Sequence, residues 1–313
     1  MALLPGLCTA LTQETWQKLQ DASIKTVTDF ISKDPELLSQ RLHLPYKDLC
    51  SIQRVLLAEH AAYPVSAALL YNGALTTFAT LSTGYDRLDD LLDGGLYTGE
   101  VTEFAGDCAA GKTTICHAAS ATTISTDGQS VLYIDTVCSL SPQSIAECLL
   151  KTHTDTCPDE QTLHSCLKKM RSVQAFDVWE LFAVLKDLAS KLAEGSSDTR
   201  DLKLIIVDSL VPVIYSVAGG VQQAQGYLSE IGLRLKQLAV TFSLAVVVTN
   251  NLVSDFGGSG RIAALGKLWS HLLHTRVILE RCEDPTVLSG TRTALLVKSC
   301  RQKSPSSVVF SLG

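Results

Sequence analysis

Residues 106–113 read Gly106-Asp107-Cys108-Ala109-Ala110-Gly111-Lys112-Thr113 and fit the pattern GxxxxGK[ST]. The spacing follows from the chemistry of holding a triphosphate. Glycines let backbone N–H groups turn inward around phosphate oxygens, and a following helix adds the positive end of its dipole. Lys112 then reaches the β- and γ-oxygens, Thr113 offers a hydroxyl to Mg2+, and Thr114 begins the helix. A second acidic partner for the metal is Asp208, at the end of the apolar run Leu204-Ile205-Ile206-Val207. Cys108 inside the loop reads as a tolerated small residue. His271 and His274 stand three apart, but no third metal ligand accompanies them, so they read as structural. The ten cysteines form neither a CxxC pair nor a zinc spacing, since the ladder Cys148, Cys157, Cys166 fits neither pattern, and they read as reduced thiols.

The elements that must position these residues are legible as βα repeats around a mostly parallel sheet. Strands are expected at Val101–Ala105, Ser130–Asp135, Arg171–Ala175, Lys203–Asp208, Leu244–Thr249, His274–Glu280, Ala294–Lys298 and Val308–Ser311. Helices are expected between them up to Thr249, notably Asp177–Leu192 and Gly226–Val240. The last three strands follow closely and are expected to pair antiparallel. Polar, aperiodic stretches at 195–201 and 254–261 read as mobile loops. Residues 8–62 instead show helical periodicity for four short helices, with starts at Thr12 and at Asp34 before Pro35. The expected division is a helical domain over 1–62, a linker over 63–80 and an α/β core over 81–313.

Composition agrees with that division: 313 residues suit about two domains, and 46% hydrophobic with 19% charged residues describes an ordered, soluble intracellular protein. No charged-then-apolar leader and no apolar run of spanning length is seen, so neither secretion nor a membrane is expected. A net charge of −6 argues against a free-standing nucleic-acid binder, leaving DNA contact local, conditional or shared with a partner.

The stretches Leu81-Ser82-Thr83-Gly84, 88–95 (LDDLLDGG) and 98–103 (TGEVTE), leading into the phosphate loop, resemble those of the RecA-like recombinases of eukaryotes. The segments 131–136 (VLYIDT) and 245–250 (AVVVTN) resemble the same family. Within it, Tyr97, Gln174-Ala175-Phe176-Asp177, Gly219-Gly220 with Gln222, and Ala264-Leu265-Gly266 before Trp269-Ser270 look most like the D-type paralogue branch of the strand-exchange recombinase. The resemblance implies a RecA-like P-loop NTPase core after a small all-α domain, with ATP and Mg2+ as cofactors. It further implies homologous recombination and double-strand-break repair in the nucleus, in a hetero-oligomeric mediator with the C, B and X-ray-cross-complementing paralogues. Single-stranded or branched DNA would be met mainly as part of that complex. Family members carry a glycine turn in the helical domain that approaches DNA. Here 42–45 reads Leu42-His43-Leu44-Pro45, which favours protein docking.

Departures from the family bear on mechanism. The glutamate that polarises the attacking water falls on Val137, so hydrolysis should be feeble, with Asp135 the nearest substitute carboxylate. The γ-phosphate sensor falls on Asn251, and the arginine over the adenine is missing from 140–144 (LSPQS). Of the two DNA loops, about 213–224 holds no Lys or Arg and about 253–263 only Arg261, so weak DNA binding is expected. Lys298 and Arg301, with Lys303, are candidates to complete a partner's ATP site in trans, against a reading as a solvated edge. Trp16 and Trp179 read as core, and Trp269 as packing beside the second loop. The favoured function is an ATP-switched assembly subunit with slow turnover. The alternatives are an active DNA-dependent ATPase with its own strand exchange, and a nucleotide-independent scaffold.

Overall fold

A computed structural model describes residues 3, 5–6, 8–60, 64–152, 160–217, 220–254, 260–282 and 290–312. The chain divides into two compact units, residues 1–73 and 74–313.

The first unit carries α1 (Gln13–Asp21), α2 (Val27–Ile31), α3 (Pro35–Leu42) and α4 (Tyr46–His60). Thr12 caps α1 by accepting from Thr15 N, and Asp34 caps α3 by accepting from Glu36 N, with Pro35 in the first turn. His43 closes α3 in the left-handed region at φ 50°, so the glycine-free turn is made by a residue that tolerates that conformation only at a cost. Leu11, Leu19, Phe30, Leu38, Leu49, Ile52 and Leu56 form the core. Trp16 is half-buried beside it and donates from Nε1 to Leu3 O at 2.7 Å. The segment expected as a linker holds a helix, α5 (Ala67–Thr77), whose Leu69, Leu70 and Tyr71 are exposed. Small residues and Gly73 give this stretch weak amphipathicity, so its sequence does not signal a helix.

The second unit opens with β1 (Thr80–Leu81), α6 (Asp86–Leu91) and β2 (Leu96–Tyr97), β1 and β2 pairing antiparallel. It continues β3 (Val101–Gly106), α7 (Lys112–Ser125), β4 (Ser130–Asp135), α8 (Pro142–Thr152), α9 (Glu160–Lys168), β5 (Met170–Gln174) and α10 (Val178–Ala193). Then come β6 (Leu202–Asp208), α11 (Leu210–Tyr215), α12 (Val221–Phe242), β7 (Ala245–Ser254), β8 (Arg261–Ala263), α13 (Gly266–Leu272), β9 (Thr275–Arg281), β10 (Thr291–Lys298) and β11 (Ser306–Ser311). The sheet order is β11-β10-β9-β3-β7-β6-β4-β5, with β8 on β7. Strands β3 to β7 and β9 run parallel, and the β9-β10-β11 end is antiparallel.

Alternation along the strands builds two cores. Leu204 and Ile206 of β6 face α6, α7 and α8, while Ile205 and Val207 face α10, α11 and α12. α7 is rich in small residues, and buried Ala118, Ala119, Ser120 and Ala121 let it lie close on the sheet. That close seating fixes the end of α7 from which the phosphate loop springs. Of the loop expected at 254–261, residues 255–259 lie outside the described residues; 218–219 of the first DNA loop do also.

Candidate functional site

The phosphate loop leaves β3 at its carboxyl end and enters α7 at Lys112. Gly106 is required by space: a Cβ there would come within 2.8 Å of Leu279 O on β9. Gly111, at φ 102°, turns the chain into the helix in a region that side-chain-bearing residues avoid.

The loop's carbonyls from Gly106 to Ala110 are held by cations, and Ala110 N also donates to Asp107 O at 3.1 Å. Lys112 Nζ donates to Gly106 O and Asp107 O, both at 2.8 Å. Arg281 donates to Cys108 O at 2.8 Å and to Ala109 O at 3.3 Å, and Arg292 donates to Ala110 O at 3.1 Å. Arg281 and Arg292 are cross-strand partners on β9 and β10, so one register brings both guanidiniums to the loop. Sequence reasoning missed both, since nothing local to either arginine points to residues 106–113. Burial lowers the pKa of Lys112, and the nearby Asp208 opposes that.

Thr113 meets Asp208 as the motif requires: Thr113 Oγ1 donates to Asp208 Oδ2 at 2.7 Å. Asp208 is 3% exposed and also accepts from Tyr133 OH at 2.8 Å, Ser139 Oγ at 3.1 Å and the Thr249 hydroxyl. Four hydroxyls thus offset the cost of burying one carboxylate. Burial drives the Tyr133 phenol far above its usual range, so it remains a donor to that carboxylate. Tyr133 lies within β4, Ser139 in the loop after it and Thr249 within β7, and they carried no signal in sequence beyond their polarity. Hydroxyl and carboxylate oxygens are the donors a hard divalent cation takes, and Thr113 with Asp208 fits Mg2+. Among the described residues no cluster of three His, Cys, Asp or Glu could hold a metal, so the remaining ligands would be phosphate and water oxygens.

Asp135 is committed to the loop after β4. Its Oδ1 accepts from Val137 N and Ser139 N, both at 3.1 Å, and its Oδ2 from Leu140 N at 3.0 Å. Both oxygens therefore hold backbone in place. Val137 is 46% exposed. Asn251 stands opposite Gly106 in the last register pair of β3 with β7.

The other expected site residues take different places. Arg261, at the base of the second loop, forms an ion pair with Asp107 of the phosphate loop. Lys298 Nζ donates to Ser270 O and Leu273 O at 2.7 and 2.5 Å, capping α13 from within the chain. Arg301 pairs with Glu100 at 2.8 Å and lies over the Tyr97 ring at 3.7 Å. Both side chains are thus held by groups of their own unit, and the Arg301 side chain remains 35% exposed. Trp269 is fully buried and donates to Glu103 Oε1 at 2.7 Å, beside Asn250 and Arg276 on the same carboxylate. Trp179 corrects its sequence reading: it is 63% exposed, clustered with Phe182 and Tyr227. The buried stripe of α10 is Val178, Leu181, Leu185 and Leu188, and Trp179 stands one position off it.

Comparison with known proteins adds independent findings. Residues 76–284 match the model of the Rad51 family, and residues 1–59 match that of the RAD51D amino-terminal domain. The chain is 38% identical to DNA repair protein RAD51 homolog 4 of Mus musculus, over 99% of this chain and 94% of that protein. It is 38% identical to the Bos taurus protein of the same name, over 99% and 95%. Identity to DNA repair protein RAD51 homolog 2 of Homo sapiens is 27%, over 92% of this chain and 82% of that one.

Proposed function

This chain belongs to the Rad51 family and carries a RAD51D-type amino-terminal domain, and from that premise we propose that it is an ATP-switched subunit of a recombinase-paralogue assembly. A role in DNA recombination and repair comes with the family and with its RAD51 homolog 4 relatives. ATP and Mg2+ are its cofactors in this reading, with residues 106–114 around the phosphates and Thr113 and Asp208 at the metal. Its partners are the C, B and X-ray-cross-complementing paralogues, its DNA is single-stranded or branched and met within the complex, and its place is the nucleus. No helix among the described residues is long and apolar enough to cross a membrane.

One observation carries the reading. The binding half of the site is assembled, with Thr113 on Asp208 and every carbonyl from Gly106 to Ala110 held by a cation. The hydrolytic half has Val137 where a carboxylate is needed, and Asp135 is occupied by three backbone N–H groups. When bound, Mg2+ would supply charge to the β- and γ-phosphates. Lys112 would leave its two carbonyls for those oxygens, and the loop's N–H groups would close on them. Binding without an activated water gives a slow switch. Lys298 and Arg301, held within the chain, serve its own fold in this reading.

The experiment is ATP binding at equilibrium beside single-turnover hydrolysis, with and without single-stranded DNA and a C-type paralogue. Tight binding with little turnover in every condition supports the switch, and Lys112→Ala should then abolish binding and loosen the partner complex. Fast DNA-stimulated turnover would make the protein a working motor instead. Intact assembly after nucleotide binding is lost would make it a scaffold.

A further inference from the structure

The phosphate loop is gripped by a hairpin far from it in the chain. Arg281, the last residue of β9, forks over two successive carbonyls, with Nη2 on Cys108 O at 2.8 Å and Nε on Ala109 O at 3.3 Å. Arg292, the second residue of β10, donates from Nε to Ala110 O at 3.1 Å and from Nη1 to its neighbour Thr291 O at 2.9 Å. The carbonyls of 108, 109 and 110 are thereby held by two side chains of one hairpin.

Two features distinguish this clamp from a brace of the hairpin itself. Arg281 and Arg292 are direct cross-strand partners in the antiparallel β9-β10 pair. Like charges placed opposite each other weaken a sheet, so the hairpin alone gains nothing from carrying both. The second feature is Ala109, an exposed residue at φ 59° in the left-handed region. Alanine avoids that region by a factor of about five to thirty, and glycine enters it freely. Cys108 O and Ala109 O belong to the two rigid peptide planes on either side of the Ala109 Cα. A guanidinium that holds both planes fixes both soft dihedrals of Ala109 at once.

We propose that Arg281, with Arg292 beside it, is a positioning residue for nucleotide binding: it holds Ala109 left-handed before a nucleotide arrives, and so takes the part that a glycine at 109 would play. The inference rests on the nucleotide-binding reading above. Lys112 must leave Gly106 O and Asp107 O to reach phosphate oxygens, whereas the arginines grip the loop from the hairpin and stay in place. A loop already in its bound shape loses less freedom on binding, and that saving appears as affinity. Without Arg281 the free loop relaxes at Ala109, and the ligand has to restore the left-handed turn. The effect passes through the loop, so it is the same for any ligand that presents the phosphates.

The test is a double-mutant cycle on the full chain. It is read by equilibrium binding of ATP and of inorganic tripolyphosphate with Mg2+, beside the melting temperature of the nucleotide-free chain. Arg281 is exposed and faces Arg292, so Arg281→Ala should raise the melting temperature or leave it within about 2 °C. The same variant should bind ATP and tripolyphosphate alike about tenfold more weakly. Ala109→Gly alone should change either affinity by less than about threefold, and adding Arg281→Ala to it should cost no more than about threefold again. Wild-type affinity in Arg281→Ala would overturn the proposal. So would a tenfold loss in both backgrounds, which would make the guanidinium an attractive charge and nothing more. A fall in melting temperature that accompanies the loss of affinity would overturn it too, because Arg281 would then be bracing the fold. Failure of the underlying reading has a separate signature: ATP and tripolyphosphate would bind no better to the wild type than to Lys112→Ala.

Discussion

The Thr113 hydroxyl donates to Asp208 Oδ2 across 2.7 Å, so the two residues that would share a magnesium ion are in contact through one hydrogen bond. Three further hydroxyls, of Tyr133, Ser139 and Thr249, converge on the same carboxylate. Asp208, the proposed metal position, is therefore also the hub of a buried polar cluster. Asp208→Asn keeps the shape but halves the acceptor capacity and removes the charge. It should destabilise the chain by about 1–3 kcal/mol and lower Mg2+-dependent ATP affinity by about tenfold or more. Urea unfolding and a magnesium titration of ATP binding separate the two effects.

Val137 is half exposed near the start of the loop that Asp135 organises, so a longer side chain there can extend into solvent. Val137→Glu should leave stability within about 0.5 kcal/mol and raise single-turnover ATP hydrolysis by roughly 10²-fold or more, the worth of a positioned general base. An unchanged rate would mean that the attacking water is not held within reach of this position.

What the sequence disclosed and what it hid divide along locality. The phosphate loop, its flanking strand and helix, and Asp208 are written in short stretches whose chemistry dictates their spacing, and the main strands follow from apolar runs. Arg281 and Arg292 were not legible, because their contact with residues 108–110 depends on the register of a hairpin some 170 residues away in the chain. The partners of Lys298 and Arg301 within the chain, two carbonyls and a carboxylate, were equally hidden, since only the folded sheet brings them near. The helix at Ala67–Thr77 was masked by weak amphipathicity.

Trp179 and Trp269 form a matched test of burial. Trp269 is fully buried and hydrogen-bonded to Glu103, whereas Trp179 lies on the surface against Tyr227, ring centroids 5.3 Å apart. Trp269→Ala should cost about 3–5 kcal/mol, and Trp179→Ala only about 1 kcal/mol, the scale of one aromatic pair. Chemical unfolding of the two variants reads the contrast directly, and equal losses would place Trp179 in the core after all.

His274 gives the fold a pH dependence of known sign. Its Nδ1 accepts from Val101 N at 2.9 Å, and burial, aided by Lys236, Lys298 and Arg301, depresses its pKa from 6.5 to about 4. Between those values the unfolded chain binds a proton that the folded chain refuses. The contribution is therefore complete above pH 6.5 and is lost as pH falls toward 4. His274→Asn keeps an acceptor for Val101 N without titrating. Its melting temperature should fall less than that of the wild type between pH 7 and pH 5, and parallel curves would show that His274 is not the group responsible.

Arg261 is the one cation of the second loop, and Asp107 of the phosphate loop holds it. While that pair persists, the charge available to a DNA backbone from this loop is neutralised. Asp107→Asn keeps the size of the side chain and removes its charge, freeing the guanidinium. Single-stranded DNA binding by the variant should then show a salt dependence steeper by about 0.7 in the logarithmic slope, the value of one more phosphate neutralised. Arg261→Ala in the same background should return the slope to that of the wild type. If Asp107→Asn leaves the slope unchanged, Arg261 does not reach DNA even when released, and the ion pair serves only to brace the base of the β7-β8 hairpin against the phosphate loop.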